Sequence, residues 1–197
     1  MQGRIIKGVG GFYDVLLQDE SIVTCKARGR FRNEHLVPMV GDLVEISKPA
    51  TGFASIDDLL PRKNALLRPP VANIDQLVIV VSASVPKPDW LLTDKLLLQA
   101  HLLGISPLLL LNKLDVADDA IVSEFELDYA AFPTLLVSSK TGLELEKLKS
   151  ALNGKISAFA GQSAVGKSSL LNALFPQLLL ETGELAKRTD RGKHTTR

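Results

Sequence analysis

Two short stretches of this chain have the residue types and spacing needed to hold a nucleotide. Gly161-Gln162-Ser163-Ala164-Val165-Gly166-Lys167-Ser168, with Ser169 behind it, fits the pattern G-x-x-x-x-G-K-[ST]. A glycine-rich turn running into a helix N-terminus lines up backbone N–H groups as an anion cradle. Lys167 would reach the β- and γ-phosphates, and the Ser168 hydroxyl would ligate Mg²⁺. Asn112-Lys113-Leu114-Asp115 fits N-K-x-D. Guanine presents N1–H and N2–H₂ along one edge, and the Asp115 carboxylate can accept from both. Adenine lacks that donor pair and would leave a buried carboxylate unpaired, so Asp115 argues against an ATP-using site. Asn112 would tie this motif to the phosphate loop and the base, while the Lys113 stem covers the ring plane.

Both stretches require strands and helices to hold them. From Ile74 onward the rhythm is β-α-β. Leu77 to Val81 is a β-branched run, as in a parallel strand buried on both faces. Asp89 reads as the N-cap of a helix that runs through Leu103 and stops at Gly104. Its leucines lie on most faces, which predicts a largely buried helix. Leu108 to Leu111 is the next strand and leads directly into Asn112. A helix around Val122 to Ala131, a strand Thr134 to Val137 and a helix near Leu143 to Leu152 follow. The strand Ile156 to Ala160 then feeds the phosphate loop, and Lys167 to Leu174 is the helix beyond it. Residues 74–197 therefore read as an α/β domain with a mainly parallel sheet.

Residues 1–65 read differently. Short strands at Ile5-Ile6, Tyr13 to Leu17, Ser21 to Phe31, Asp42 to Ile46 and Gly52 to Leu60 are separated by glycine turns, with no helical period. The pattern predicts a small all-β barrel of OB-fold size. Residues 66–73, with the Pro69-Pro70 pair, read as a linker. In the barrel, Lys26, Arg28, Arg30 and Arg32 alternate along one predicted strand and would share a face. Such a row suits rRNA phosphates, with salt-dependent affinity. The plainer reading is a charged edge strand that resists aggregation.

Composition narrows the classes. The chain has 197 residues, 46% hydrophobic and 23% charged, which suits a globular protein able to bury a core. A net charge of +1 gives no global attraction to nucleic acid, so any basic surface must be local. Cys25 is the single cysteine, which excludes a disulfide framework or a cysteine-rich metal site within these residues. The N-terminus lacks the apolar region of a signal peptide, and no apolar run approaches the ~20 residues that span a bilayer. The expectation is a cytoplasmic monomer without membrane contact.

The guanine reader precedes the phosphate loop, the reverse of the order in Ras-like GTPases, so the chain resembles a circularly permuted GTPase. Ser138-Ser139-Lys140 is similar to the S-A-K-type loop whose backbone N–H meets guanine O6. The position of Ala164 is commonly Gly or Asn in GTPase loops, which predicts a positive φ there, at roughly 1 kcal/mol, or a shifted loop. Arg30-Phe31-Arg32, Val40-Gly41-Asp42, Arg68 to Asp75 and Arg191 to Thr196 extend the likeness over nearly the whole chain. With the permuted order, they resemble the RsgA (YjeQ) family of GTPases that depend on the small ribosomal subunit.

That resemblance implies a GTP/GDP-binding enzyme acting late in assembly of the small subunit and contacting its rRNA. It implies that Gly192 to Thr196 belongs to switch I, with Thr195 or Thr196 on Mg²⁺, and that His194 assists hydrolysis. No D-x-x-G motif occurs in these residues, and the family's C-terminal Zn²⁺-binding domain is missing. The expectation is therefore a truncated chain, incomplete at the C-terminus of its GTPase domain, from which nucleotide binding is expected and efficient hydrolysis is not. The other class of function left open is an rRNA-binding assembly module whose guanine site is only structural.

Overall fold

In the computed structural model, which describes residues 1–29, 31, 36–49 and 52–178, the chain divides into two units, Met1–Ile74 and Asp75–Arg197. In the first unit, alternation of apolar and polar residues builds β1 (Gln2–Val9), β2 (Phe12–Leu17), β3 (Ile22–Ala27), β4 (Leu43–Ser47) and β5 (Ala54–Leu59). They close as a barrel in the order β1-β2-β3-β5-β4, with β3 and β5 parallel. The inward positions Ile5, Val15, Cys25, Val44, Ile46, Ala54 and Ile56 form its core together with Phe31. This is the expected OB-like barrel.

Two expectations change. β3 ends at Ala27, and a turn in which the Phe31 N–H donates to the Arg28 carbonyl (3.2 Å) brings Phe31 into the core. Lys26 is therefore on β3 while Arg28 follows its end, and Arg30 and Arg32 lie outside the described residues. Residues 66–73, expected as a linker, lie instead in a hairpin of β6 (Ala65–Leu67) and β7 (Pro70–Ala72). Two buried asparagines hold it. The Asn64 side chain exchanges two hydrogen bonds with the main chain of Ile74, at 2.9 and 3.0 Å. Asn73 accepts from the Lys63 N–H at 2.7 Å and donates to the Gly41 carbonyl at 3.1 Å. Gly41 has φ +94°, and a Cβ there would run into the Ala72 carbonyl oxygen, so only glycine allows the two chains this close. Beside it, buried Asp42 takes a two-pronged contact from Arg62 at 2.7 and 2.8 Å, and the Met39 N–H at 2.8 Å. The Val40-Gly41-Asp42 and Val71 to Ile74 signatures are thus architectural, joining hairpin to barrel.

The second unit carries a parallel sheet in the order β10-β9-β8-β11. Its strands are β8 (Gln76–Ser82), β9 (Ser106–Asn112), β10 (Thr134–Leu136) and β11 (Ser157–Ala160). The helices are α1 (Trp90–Leu102), α2 (Asp119–Asp128), α3 (Leu145–Leu152) and α4 (Lys167–Leu174). Every residue of β8 is buried, as its β-branched run predicts. The Asp89 carboxylate caps α1 by accepting from the Leu92 N–H at 3.0 Å. Asp118 caps α2 in the same way through Ala120 (3.0 Å), which starts that helix before the expected Val122.

The expected burial of α1 fails on one side. Leu96, Leu97 and Ala100 are buried, but Leu91, Leu98 and Leu102 are 63%, 58% and 74% exposed. Leucine is a strong helix former, which suits it to a helix position whether or not that position is buried. A core of Val78, Val80, Leu108, Leu110, Val137, Leu148, Val165 and Leu170 joins the sheet to α3, the phosphate loop and α4. Among the described residues no helix is long and apolar enough to cross a membrane.

Candidate functional site

The C-terminal ends of β8, β9 and β11 and the loop after β10 meet at one end of the sheet, where parallel α/β folds collect ligands. β11 delivers the chain to Gly161, and α4 begins at Lys167 with Gly166 as its N-cap. Gly166 has φ +101°, and a Cβ there would run into the Asn112 side-chain nitrogen. A Cβ at Gly161 would meet the Val80 carbonyl oxygen. The loop must therefore lie flat against the sheet and the end of β9. Ala164 has φ +61°, the left-handed conformation expected for it.

Asn112 is the structural link between the two halves. It is fully buried at the end of β9. Its Nδ2 donates to the Val165 carbonyl at 2.9 Å, and its Oδ1 accepts from the Ser139 N–H at 3.2 Å. One side chain thus spans the phosphate loop and the Ser138-Ser139-Lys140 loop. Lys113 is left-handed, with φ +71°, and its ammonium donates to the Ala164 carbonyl at 2.8 Å and to that of Val85. Burial lowers its pKa.

Asp115 is held by two partners. Ser138 Oγ donates to its Oδ1 at 2.7 Å, and the exposed Lys140 ammonium lies 3.4 Å from Oδ2. The Ser138 hydroxyl is the main cause that holds the Asp115 carboxyl below its usual range, with Lys140 adding to it. Ser138 itself is buried and also accepts from the Thr141 N–H at 3.2 Å. Sequence reasoning placed Ser138 in the base loop but missed this orienting bond. The available signal was a small hydroxyl at a strand end, facing a carboxylate that needs a donor.

Lys167 folds back over its own loop, donating to the carbonyls of Gly161 (3.0 Å) and Gln162 (2.7 Å), and burial lowers its pKa. Those neutral acceptors are weaker partners for an ammonium than phosphate oxygens. Ser168 and Ser169 follow on the first turn of α4, where a hydroxyl oxygen is a hard donor suited to Mg²⁺. The Gln162 Oε1 is buried and has no donor among the described residues, and Ser163 occupies the next position of the loop. Asn112, Lys113, Asp115 and Ser138 to Lys140 are thereby brought together with Gly161 to Ser169. His194, Thr195 and Thr196 lie outside the described residues.

Of the basic row, Lys26 and Arg28 are described, whereas Arg30 and Arg32 lie outside the described residues. Arg28 makes an ion pair with Asp57 at 2.8 Å. Lys26 points outward, with its ammonium 4.8 Å from the ring centres of both Phe12 and Phe53.

Comparison with known proteins agrees with this geometry. Residues 59–197 match the model of the RsgA GTPase family, and residues 2–56 match that of the RsgA N-terminal domain. The chain is 43% identical over 202 residues to the small ribosomal subunit biogenesis GTPase RsgA of Caldanaerobacter subterraneus, covering all of this chain and 67% of that protein. It is also 43% identical over 200 residues to that of Alkaliphilus metalliredigens, covering 68% of it. The crystal structure of YjeQ from Thermotoga maritima superposes with a TM-score of 0.78 at 38% identity, over 97% of this chain and 72% of that one. YloQ, described as a circularly permuted GTPase, superposes with a TM-score of 0.69 at 33% identity, over 97% of this chain and 69% of that one.

Proposed function

This chain belongs to the RsgA GTPase family, and from that premise we propose that it hydrolyses GTP during late maturation of the small ribosomal subunit. The observation that carries the assignment of the site is the double tie of Asn112 to Val165 and Ser139. It makes one guanine-nucleotide site of two motifs that stand in reversed order along the chain.

The residues' tasks follow from their present partners. On binding, Asp115 keeps the Ser138 hydroxyl and exchanges Lys140 for the guanine N1–H and N2–H₂ edge. The Lys113 stem covers the base from a position fixed by the Ala164 carbonyl. The loop from Gly161 to Gly166 turns its N–H groups to the phosphates, and Lys167 leaves its loop carbonyls for β- and γ-oxygens. Mg²⁺ would neutralise charge developing on those oxygens, and we assign Ser168 and one of Thr195 and Thr196 as its protein ligands. His194 is assigned to orient the water that attacks the γ-phosphorus.

The barrel is assigned to rRNA, through Lys26 and Arg28 and, beyond the described residues, Arg30 and Arg32. The protein would act as a monomer in the cytoplasm, where its ribosomal partner is assembled. A GTP hydrolysis assay on the full-length protein, with and without isolated small subunits, tests this function. Strong stimulation by subunits is expected. Equal binding of GTP and GDP with no turnover in either condition would replace the enzyme by a binding module.

A further inference from the structure

We propose that Phe12, Lys26 and Phe53 form a stacking platform for an unpaired RNA base and its flanking phosphate. The proposal rests on the assignment of the barrel to rRNA and specifies where on the barrel, and in what form, the RNA is held.

Three neighbouring strands bring the residues together. In the β2–β3 ladder Phe12 is opposite Lys26, and in the β3–β5 ladder Lys26 is opposite Ser55, two positions after Phe53. The two rings meet edge to face with centres 5.3 Å apart, and the Lys26 ammonium lies 4.8 Å from each centre. Outward positions of a small barrel are normally polar, yet here Phe12 is 38% exposed and Phe53 is 56% exposed. Neither ring belongs to the barrel core. Their surface placement costs hydration free energy that packing against the core would avoid.

The combination selects its ligand. An exposed ring offers a π-face to any unstacked base, and a cation fixed beside it meets the adjacent phosphate. The rings hold Lys26 in position, so less side-chain freedom is lost on binding. A duplex keeps its bases stacked away from such a surface. A protein partner fits less well, because lysine is depleted at the centres of protein interfaces.

The probe is a fluorescently labelled 12-nucleotide single-stranded RNA, with a duplex of the same composition, measured by anisotropy on the whole protein. Wild type should prefer the single strand. Phe53→Ala and Phe53→Leu should each weaken it about 5- to 150-fold, the range for one lost stacked base, with unchanged salt dependence. Lys26→Gln should instead reduce the slope of log affinity against log salt by about 0.7, one phosphate on a single strand. Unchanged melting temperatures keep these effects apart from unfolding. Equal affinity for the duplex, no measurable binding by wild type, or full binding by both Phe53 variants would overturn the platform. Subunit-stimulated GTP hydrolysis by wild type, measured in parallel, decides the broader function separately. Stimulation together with intact binding by the Phe53 variants removes the platform alone.

Discussion

Gly166→Ala should damage base recognition as well as phosphate binding, although the residue lies in the phosphate loop. Two costs add. Alanine at φ +101° is strained by about 1–2 kcal/mol. The new Cβ also collides with the Asn112 amide nitrogen, so Asn112 must leave the Val165 carbonyl. Both partners are buried, and orphaning them costs about 1–3 kcal/mol. Together the loss in stability should be about 2–5 kcal/mol, read by denaturant unfolding. The more telling measurement is the ratio of GDP to IDP affinity, from competition against a fluorescent nucleotide. Inosine lacks the N2 amino group assigned to Asp115, so the ratio isolates base reading. A purely local fault in the cradle would weaken both ligands equally. Displacement of Asn112 also frees the Ser139 N–H and loosens the base loop, so the ratio should fall by about tenfold, one lost bond to a charged group. Asn112→Ala should reproduce the fall with the glycine intact. Parallel weakening of GDP and IDP, with the ratio unchanged, would refute the coupling.

Ala164→Gly should raise stability by about 1 kcal/mol and the melting temperature by a few degrees, because φ +61° is left-handed and glycine adopts it freely. Ser138→Ala removes the main cause that keeps the Asp115 carboxyl low. A carboxyl depressed in the folded protein contributes above its unfolded value, and the contribution is lost as pH falls through the folded value. The acid limit of GDP binding should therefore move to higher pH in Ser138→Ala, as a pH series of affinities will show. Asp115→Asn should lose GTP and gain XTP, since the amide can donate to the xanthine 2-oxygen. Unchanged GTP selectivity would remove Asp115 from the base contact.

The α/β core was legible because buried parallel strands are long β-branched or leucine runs, and those of β8 and β9 have no other use. The capping Asp89 marked the start of α1, whereas the cap of α2 by Asp118 was not read. The hairpin of β6 and β7 was not legible, because Pro69-Pro70 reads as punctuation. The bonds that order it come from Asn64 and Asn73 to main-chain groups distant in sequence. The basic row misled for a related reason. Alternation from Lys26 to Arg32 satisfies a strand pattern, but burial of Phe31 is met by a turn instead. In the site, residue identities and the left-handed Ala164 could be read from motifs. The tie of Asn112 to the phosphate loop was also readable from its motif, whereas its second bond to the Ser139 N–H and the collision at Gly166 depend on close approach of the chain segments, which no spacing rule encodes.

The register of the sheet also fixes how much of the chain must be synthesised before the site can be complete. β8, β9 and β10 are made first and can pair with one another, leaving the far edge of β8 unpaired. That edge is completed only when β11 emerges and aligns Ser157 to Ala160 with Gln76 to Ile79. The accompanying bond from the Ile156 N–H to the Asp75 carboxylate spans 81 positions. Domains generally fold as units, so until β11 has been made the base-reading segment has no complete sheet to sit on. The phosphate loop and its helix are made after the base-reading segment. A nucleotide held by both motifs therefore requires β11 in place beside β8, and the far edge of β8 stays exposed until then.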